Sequence, residues 1–411
     1  MKINKERIRN RMDSINTMSV DPTGGYTRLA FSEQDLKGRE LIKTMMEEAG
    51  LCVSQDAAGN ILGALLQNNA PKGFVATGSH IDTVKNGGKF DGLLGAIAAI
   101  ETAQCIRESG YTLKRPLEVI IFCDEEGARF NSGMLGSKAI AGVSMDAPLK
   151  NYVDAEGVSL ASALENIGVA PEDVLHAKAP KDKYDSFVEL HIEQSIVLER
   201  EKKQIGIVNG IKGPYWIKGV FEGESNHAGG TPMNQRRDAL VAAANFAAAV
   251  ERIASDLGDM FVATIGYFNV LPGGINTIPC KVEYTIDIRD IDMERRAVGI
   301  QRIEQAAAEV AARFHVTSHM ACMKKTKSEK MSSRIMETIE AICRRDGYHY
   351  SILPSGPFHD TLSMASVCDV GMIFVPSIHG ISHSPYEDTA WDDVFAGSQL
   401  LLDTVLALTE K

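Results

Sequence analysis

The sequence predicts an α/β fold: a mixed, mainly parallel sheet flanked by helices and interrupted by a smaller inserted α+β segment. Three observations carry this. Strand-like apolar runs alternate with helical patterns through the first half, and a run of the same character, VGMIFVPS at Val370–Ser377, recurs near the end. Between about Lys212 and Lys325 the texture changes to alternating strands with amphipathic helices. At 411 residues the chain also exceeds what one hydrophobic core usually serves.

In chain order, GFVATGSH, GLLGAIAAIETAQCIRESG and LEVIIFCDEEG read as strand, helix and strand, a βαβ unit whose strands are apolar throughout because both faces are covered. SFVEL is a further strand of that sheet. The segments YWIKGVFEG and KVEYTIDIRD then alternate apolar and polar residues, as strands with one covered face do, and the helical stretches ALVAAANFAAAVERIA and RRAVGIQRIEQAAAEVAARF lie among them. The expected organisation is a discontinuous first domain, residues 1–211 and 326–411, with residues 212–325 inserted as a compact second one. No internal repeat or long low-complexity segment interrupts it.

Composition narrows the function. The apolar share of 44% and charged share of 24% are those of an ordinary globular chain, and a net charge of -11 argues against a nucleic-acid backbone as partner. The start, MKINKERIRNRMDSINTM, has no apolar core of a signal peptide, so secretion is disfavoured. The richest apolar run, Leu93–Ile100, is far shorter than the roughly 18 residues of a membrane span. Seven scattered cysteines without a CxxC pair form neither a disulfide framework nor a thiolate zinc site. Most are expected to be small buried residues in a reducing compartment, and the cytoplasm is the expected location.

The chemistry is signalled by where His, Asp and Glu fall. His80 and Asp82 follow FVATGS, the run Asp124-Glu125-Glu126 follows LEVIIFC, and His191 ends SFVEL. In a parallel sheet such strand ends share one edge, where open α/β folds place their ligand sites. Gly87 and Gly88 allow the loop after Asp82 to fold back, so that Asp91 can sit beside His80. Imidazole and carboxylate together suit zinc, manganese or cobalt, and a carboxylate can bridge two cations that would otherwise repel. Asp82 is suited to orient the His80 ring. Any one of these residues alone reads as a solvated or core side chain, but two glutamates directly after an apolar strand put charge where burial is costly without a cation. Near the other end His383 in GISHSPYED, His379 four residues earlier, and the pair His359-Asp360 in SGPFHDT are alternatives that the pattern does not rank.

Together GSHIDTVKNGGKFDGLLG, DEEGARF, ELHIEQ, NHAGGTPM, GGINTIP, DIRD and ISHSP resemble the metallopeptidase-like M20 amidohydrolases, in the branch of N-carbamoyl-L-amino-acid hydrolases and allantoate amidohydrolases. The likeness spans nearly the whole chain and keeps the motif order. It implies two divalent cations per subunit, zinc, manganese or cobalt, one held by His80, Asp91 and His191 and the other by Asp91, Glu126 and His383, with Asp91 bridging. Glu125 would be the general base and then the general acid. His227 would stabilise the developing oxyanion in the partner subunit's site, which makes the inserted segment a dimerisation or lid domain and the protein a homodimer. Gln194, Asn276, Arg289 and His359 would contact a small carboxylate-bearing substrate. On the residues alone, Arg289 pairs equally well with Asp287 or Asp290, and Asn276 is an ordinary turn residue after Gly273-Gly274.

Three positions depart from the family pattern: Ser195 where glycine is usual after HIEQ, Gly230 in GGTPM, and Pro357 in SGPFHD. They touch the pocket and leave the metal ligands intact. N-carbamoyl amino acids, allantoate and 3-ureidopropionate all carry a ureido group and a carboxylate. The apolar, aromatic segment GPYWIKGV and the stretch LPGGINTIPCKVEYTIDIRD resemble the carbamoylases more, so an N-carbamoyl-L-amino acid is the expected substrate, with allantoate the alternative and ureidopropionase, acyl-amino-acid or dipeptide hydrolysis behind it.

Overall fold

A computed structural model describes residues 1–66 and 73–410. The chain divides into two compact units, one of residues 1–209 and 331–411 and the other of residues 210–330. Its strands are β1 Cys52–Gln55, β2 Ile61–Leu65, β3 Phe74–His80, β4 Leu117–Phe122, β5 Tyr184–Ile192, β6 Ile205–Ile211, β7 Gly213–Glu222, β8 Val262–Leu271, β9 Lys281–Asp290, β10 Thr317–Lys325, β11 Glu329–Lys330, β12 Tyr350–Ser355 and β13 Asp369–Val375.

The first sheet runs β1-β2-β4-β3-β5-β13-β6-β11, with β12 also paired to β6. Its four central strands, β4, β3, β5 and β13, are mutually parallel, and antiparallel pairs flank them. Continuous burial explains their composition: all six residues of β4 and all but the first of β3 are buried. The helix Leu93–Glu108 lies against this sheet and is buried along nearly its whole length. Gly95 brings it close, since a Cβ there would lie 2.2 Å from the Leu190 carbonyl oxygen. The C-terminal helix Trp391–Thr409 contributes Leu400, Leu401, Leu402, Val405 and Leu408 to the same core.

Register sets up the site. His80, the last residue of β3, pairs with Phe122, the last of β4, and His191 on β5 pairs with Phe374 on β13. The carboxyl ends of the parallel strands therefore share one edge.

The second unit is an antiparallel sheet, β10-β7-β9-β8. Burial on β9 alternates strictly, and Val282, Tyr284, Ile286 and Ile288 join a core with the helices Ala239–Leu257 and Met293–Phe314. Asp238 and Asp292 cap these helices by accepting from the backbone N–H groups of Leu240 and Val241 and of Glu294 and Arg295. Among the described residues no helix is long and apolar enough to cross a membrane. The cysteines differ from expectation: Cys105, Cys123 and Cys343 are buried, whereas Cys52 and Cys322, on outer strands, are exposed.

Candidate metal centre

Asp91 is the hub. Its Oδ1 lies 3.2 Å from His191 Nε2 and 3.6 Å from His80 Nε2, and its Oδ2 lies 3.2 Å from His383 Nε2. Glu126 Oε2 is 3.5 Å from the same His383 nitrogen. Among the described residues three groups could hold a cation: Glu189, whose carboxylate already accepts from the Ser79 and Thr361 hydroxyls, with His191 and His359, and two that share Asp91, namely His80 with Asp91 and His191, and Asp91 with Glu126 and His383. The Asp91 carboxylate thus offers a different oxygen to each of the latter two.

Local structure aims these groups. Gly92 follows Asp91 with φ +64°, and a Cβ there would lie 2.4 Å from the His80 ring, so only glycine lets the chain pass the imidazole. Asp124, Gln194 and His383 are non-glycine residues with φ of 50°, 55° and 54°, a left-handed conformation that costs energy and is held where a turn must point its neighbours inward. The acidic run consequently diverges: Asp124 accepts from the Ser132 hydroxyl, Glu125 Oε2 sits 3.7 Å from His80 Nε2, and Glu126 turns to His383.

The ring tautomers suit metal binding. His80 Nδ1 lies 3.0 Å from the Asp82 carbonyl oxygen and His191 Nδ1 lies 2.9 Å from that of Ile192. A carbonyl only accepts, so Nδ1 carries the proton in the neutral ring and Nε2 keeps its lone pair towards Asp91. Asp82 therefore orients His80 through its backbone oxygen rather than its carboxylate, whose nearer oxygen stands 3.7 Å off. That carboxylate instead accepts from the N–H groups of Glu125 and Glu126, at 3.3 and 3.1 Å.

The electrostatics demand positive charge. Burial, then Asp360 and Glu126, raise Glu125 well above the usual carboxylate range; burial, then Asp91 and Asp82, do the same for Glu126. For Asp91 burial works the other way from its partners, and the hydrogen bonds with His191 and His383 win, holding it well below that range. Burial likewise opposes charge on His191, but the bond to Asp91 outweighs it and lifts the ring to about 9, whereas burial brings His80 down to about 4. Buried carboxylates facing three imidazole nitrogens are the donor set of a transition-metal or zinc site, and a cation relieves their mutual repulsion. The residues fit the group that the sequence implied.

Of the three alternatives near the C-terminus, the structure brings His383 to Asp91 and Glu126, and His359 to the far side of the cluster with His191 and Glu189. His379 is exposed and beside Glu199. His359 is 1% exposed, its ring 4.4 Å from that of His191, with Nε2 3.0 Å from Ser355 Oγ. Gln194 Nε2 donates to Asp91 Oδ2 at 2.7 Å, while its Oε1 is buried without a hydrogen-bond partner.

In the second unit His227 bridges Thr277, beside Asn276. Arg289 Nε and Nη2 hold Asp287 at 3.1 and 2.8 Å. Two residues escaped the sequence reading. Ser382 Oγ lies 3.2 Å from Asp91 Oδ2, and Glu387 accepts from the N–H groups of Phe90 and Asp91. The acidic tail of ISHSPYED was the available signal for Glu387, but nothing marks a contact almost 300 positions away.

A model of the peptidase family M20/M25/M40 matches residues 76–407. The chain is 40% identical over 408 residues to an N-carbamoyl-L-amino acid amidohydrolase of Geobacillus stearothermophilus, covering 99% of each. It is 34% identical to an allantoate amidohydrolase of Escherichia coli strain K12, covering 97% of this chain and 96% of that one. A crystal structure of an amidase of the hydantoinase/carbamoylase family from Burkholderia multivorans superposes with a TM-score of 0.93 at 32% identity, covering 100% of this chain and 99% of that one. On this fold, this site geometry and these relatives, the chain belongs to the peptidase family M20/M25/M40, in its branch of amidohydrolases acting on non-peptide C–N bonds.

Proposed function

We propose that this protein is a two-cation amidohydrolase that removes the carbamoyl group of N-carbamoyl-L-amino acids. The observation that carries it is the Asp91 carboxylate, which offers Oδ1 to His80 and His191 and Oδ2 to His383. His80, Asp91 and His191 hold one ion, and Asp91, Glu126 and His383 the other, from zinc, manganese or cobalt. When bound, such ions polarise the scissile carbonyl and make water acidic enough to attack near neutral pH.

The chain's own residues do the rest. Glu125 belongs to neither ligand group, and burial keeps its proton affinity high, so it takes the proton of the attacking water and returns it to the leaving nitrogen. His227 Nδ1 accepts from the N–H groups of Gly229 and Gly230, each at 3.1 Å, which leaves the proton on Nε2 as a donor for the oxyanion. The glycine at 230 keeps the backbone donor, so that departure from the family pattern is compatible with the role. Arg289 receives the substrate carboxylate on its planar fork, in place of or beside Asp287, and Asn276 of the partner subunit, which travels with His227, joins it there. The unpartnered Gln194 Oε1 is an acceptor for the ureido N–H. His359, expected among the substrate contacts, is 1% exposed with its ring 4.4 Å from that of His191, so its part in the site is to pack against that ring.

Spacing supports a homodimer. Arg289 lies eight residues, about 26 Å, along β9 from Lys281, which pairs with Glu222, and His227 lies beyond that end, where it bridges Thr277, so the two side chains stand at opposite ends of the strand pair. The carbamoyl and carboxylate groups of one substrate are a few bonds apart, so His227 and Arg289 must come from different chains to serve the same molecule. The edge strand β8, with Val262, Tyr267, Phe268 and Leu271 exposed, is a surface that gains from being covered. Seven unpaired cysteines support a reducing compartment, the cytoplasm.

The test of substrate is a side-by-side measurement of kcat/KM on N-carbamoyl-L-amino acids, allantoate and 3-ureidopropionate. Preference for a carbamoyl amino acid is expected. Allantoate is the second reading, favoured by the 34% identity to an allantoate amidohydrolase over nearly the whole chain, and its preferential turnover would replace the first.

A further inference from the structure

We infer that Glu387 is a positioning residue that fixes Asp91 relative to His383, and so sets the second of the two cation sites. The inference rests on the two-cation reading above. Glu387 is 3% exposed. Its Oε1 accepts from the backbone N–H groups of Phe90 at 3.0 Å and Asp91 at 3.1 Å, and its Oε2 accepts from Ser382 Oγ at 2.8 Å. One carboxylate therefore binds both the backbone that carries Asp91 and the residue directly before His383.

The two segments also meet through the more exposed Lys89–Asp388 ion pair, at 2.9 Å, and through Ser382 Oγ on Asp91 Oδ2, but Glu387 is the side chain that holds the Asp91 backbone. Asp91 lies in the return loop after β3, and His383 lies in a loop after β13 with φ +54°. Two backbone N–H groups and a hydroxyl converge on the two oxygens of this one carboxylate, which suits a clamp between two loops. The loop closes tightly on this carboxylate: a Cβ at Gly88 would lie 2.0 Å from both Glu387 Cδ and Oε1. That contact gives Gly88 a specific reason to be glycine.

The clamp extends to the shared ligand itself. Ser382 Oγ has one proton, and Glu387 Oε2 at 2.8 Å is its nearer acceptor, with Asp91 Oδ2 at 3.2 Å. Gln194 Nε2 then donates to both Ser382 Oγ, at 3.1 Å, and Asp91 Oδ2, at 2.7 Å. Removing the Glu387 carboxylate frees Ser382 to turn its proton to Asp91 Oδ2, the oxygen that faces His383. The site containing His383 is thus the one that loses most, while the His80–Asp91–His191 group keeps the ring bonds to the Asp82 and Ile192 carbonyls.

The experiment is an equilibrium zinc titration of the chelator-stripped protein against a competing dye, comparing wild type with Glu387→Ala and Glu387→Gln, with melting temperatures recorded for the stripped forms. Glu387→Ala is expected to weaken the looser of two zinc ions about ten- to a hundredfold, the range for loss of a group that supports a metal ligand, and the tighter one by much less. Glu387→Gln, which keeps an acceptor for the two N–H groups but not the charge, is expected to fall between. Should Glu387→Ala fail to fold, Gly88→Ala drives a methyl group into the same carboxylate and is expected to weaken the same ion selectively. Wild-type affinity for both ions in the variants, or equal weakening of both in step with a lower melting temperature, would overturn the positioning role and leave a merely structural one. A wild-type protein that binds fewer than two zinc ions would overturn the two-cation reading itself, and the inference with it.

Discussion

Glu125→Gln exchanges one carboxylate oxygen for an amide nitrogen in a side chain that is only 9% exposed, so it changes proton chemistry with almost no change of shape. The backbone around it is independently held: its N–H donates to Asp82 Oδ1 at 3.3 Å, and its carbonyl accepts from the Met134 N–H at 2.9 Å. The cations should be unaffected, because neither ligand group contains Glu125 and the nearest ring nitrogen, His80 Nε2, is 3.7 Å away. A Gln side chain cannot take a proton from water. The loss is that of general acid–base catalysis, about 10²- to 10⁴-fold in kcat, or about 3 to 5 kcal/mol of barrier. The assay is kcat for ammonia release alongside metal content by inductively coupled plasma mass spectrometry. A variant that loses metal together with activity would make Glu125 a ligand, and one within tenfold of wild-type kcat would remove it from the chemistry.

Three further outcomes are expected. Arg289→Ala removes a charged bidentate partner of the substrate carboxylate and should lower kcat/KM by about thirty- to a thousandfold, about 2 to 4 kcal/mol, with unchanged kinetics excluding it from the site. Mixing inactive Glu125→Gln and His227→Ala dimers should restore activity at about a quarter of the sites once subunits have exchanged at random, whereas no recovery despite proven exchange would mean that each site is contained in one chain. Gly95→Ala places a methyl group 2.2 Å from the Leu190 carbonyl oxygen and 2.8 Å from Ser79 Cβ. Urea denaturation should find it about 1 to 3 kcal/mol less stable, and an unchanged midpoint would contradict the close helix–sheet contact.

What could be read from the residues in advance follows from how local the cause was. The central strands announce themselves because burial on both faces leaves LEVIIF and FVATGSH without polar alternation, and the strand ends then deliver His80, the acidic run and His191 to one edge. The pattern alone did not distinguish His379 from His383, since both sit in one loop with left-handed backbone, φ +58° and +54°, and only the path of that loop takes one ring to Asp91 and leaves the other beside Glu199. The Asp82 carboxylate was expected on the His80 ring, as the short spacing suggests. The backbone oxygen reaches that ring first, and the side chain is taken by two N–H groups from the loop after β4. Glu387 was invisible for a similar reason. Two of its three partners are backbone N–H groups, which carry no sequence signal, and those two lie almost 300 positions away. The exposed cysteines sit on outer strands whose pairing no composition argument could foresee.

On the proposed reading two cations share Asp91, and turnover needs both. The most direct test strips the protein with EDTA and adds back zinc, manganese or cobalt in fractions of an equivalent, following hydrolysis of an N-carbamoyl-L-amino acid at each step, in wild type and in Asp91→Asn. The expected result is no turnover without metal, activity that climbs to a plateau at two equivalents per chain, and a variant that fails to hold the pair and stays inactive. Full activity in the stripped protein, a plateau at one equivalent, or an Asp91→Asn enzyme that performs like wild type would contradict it.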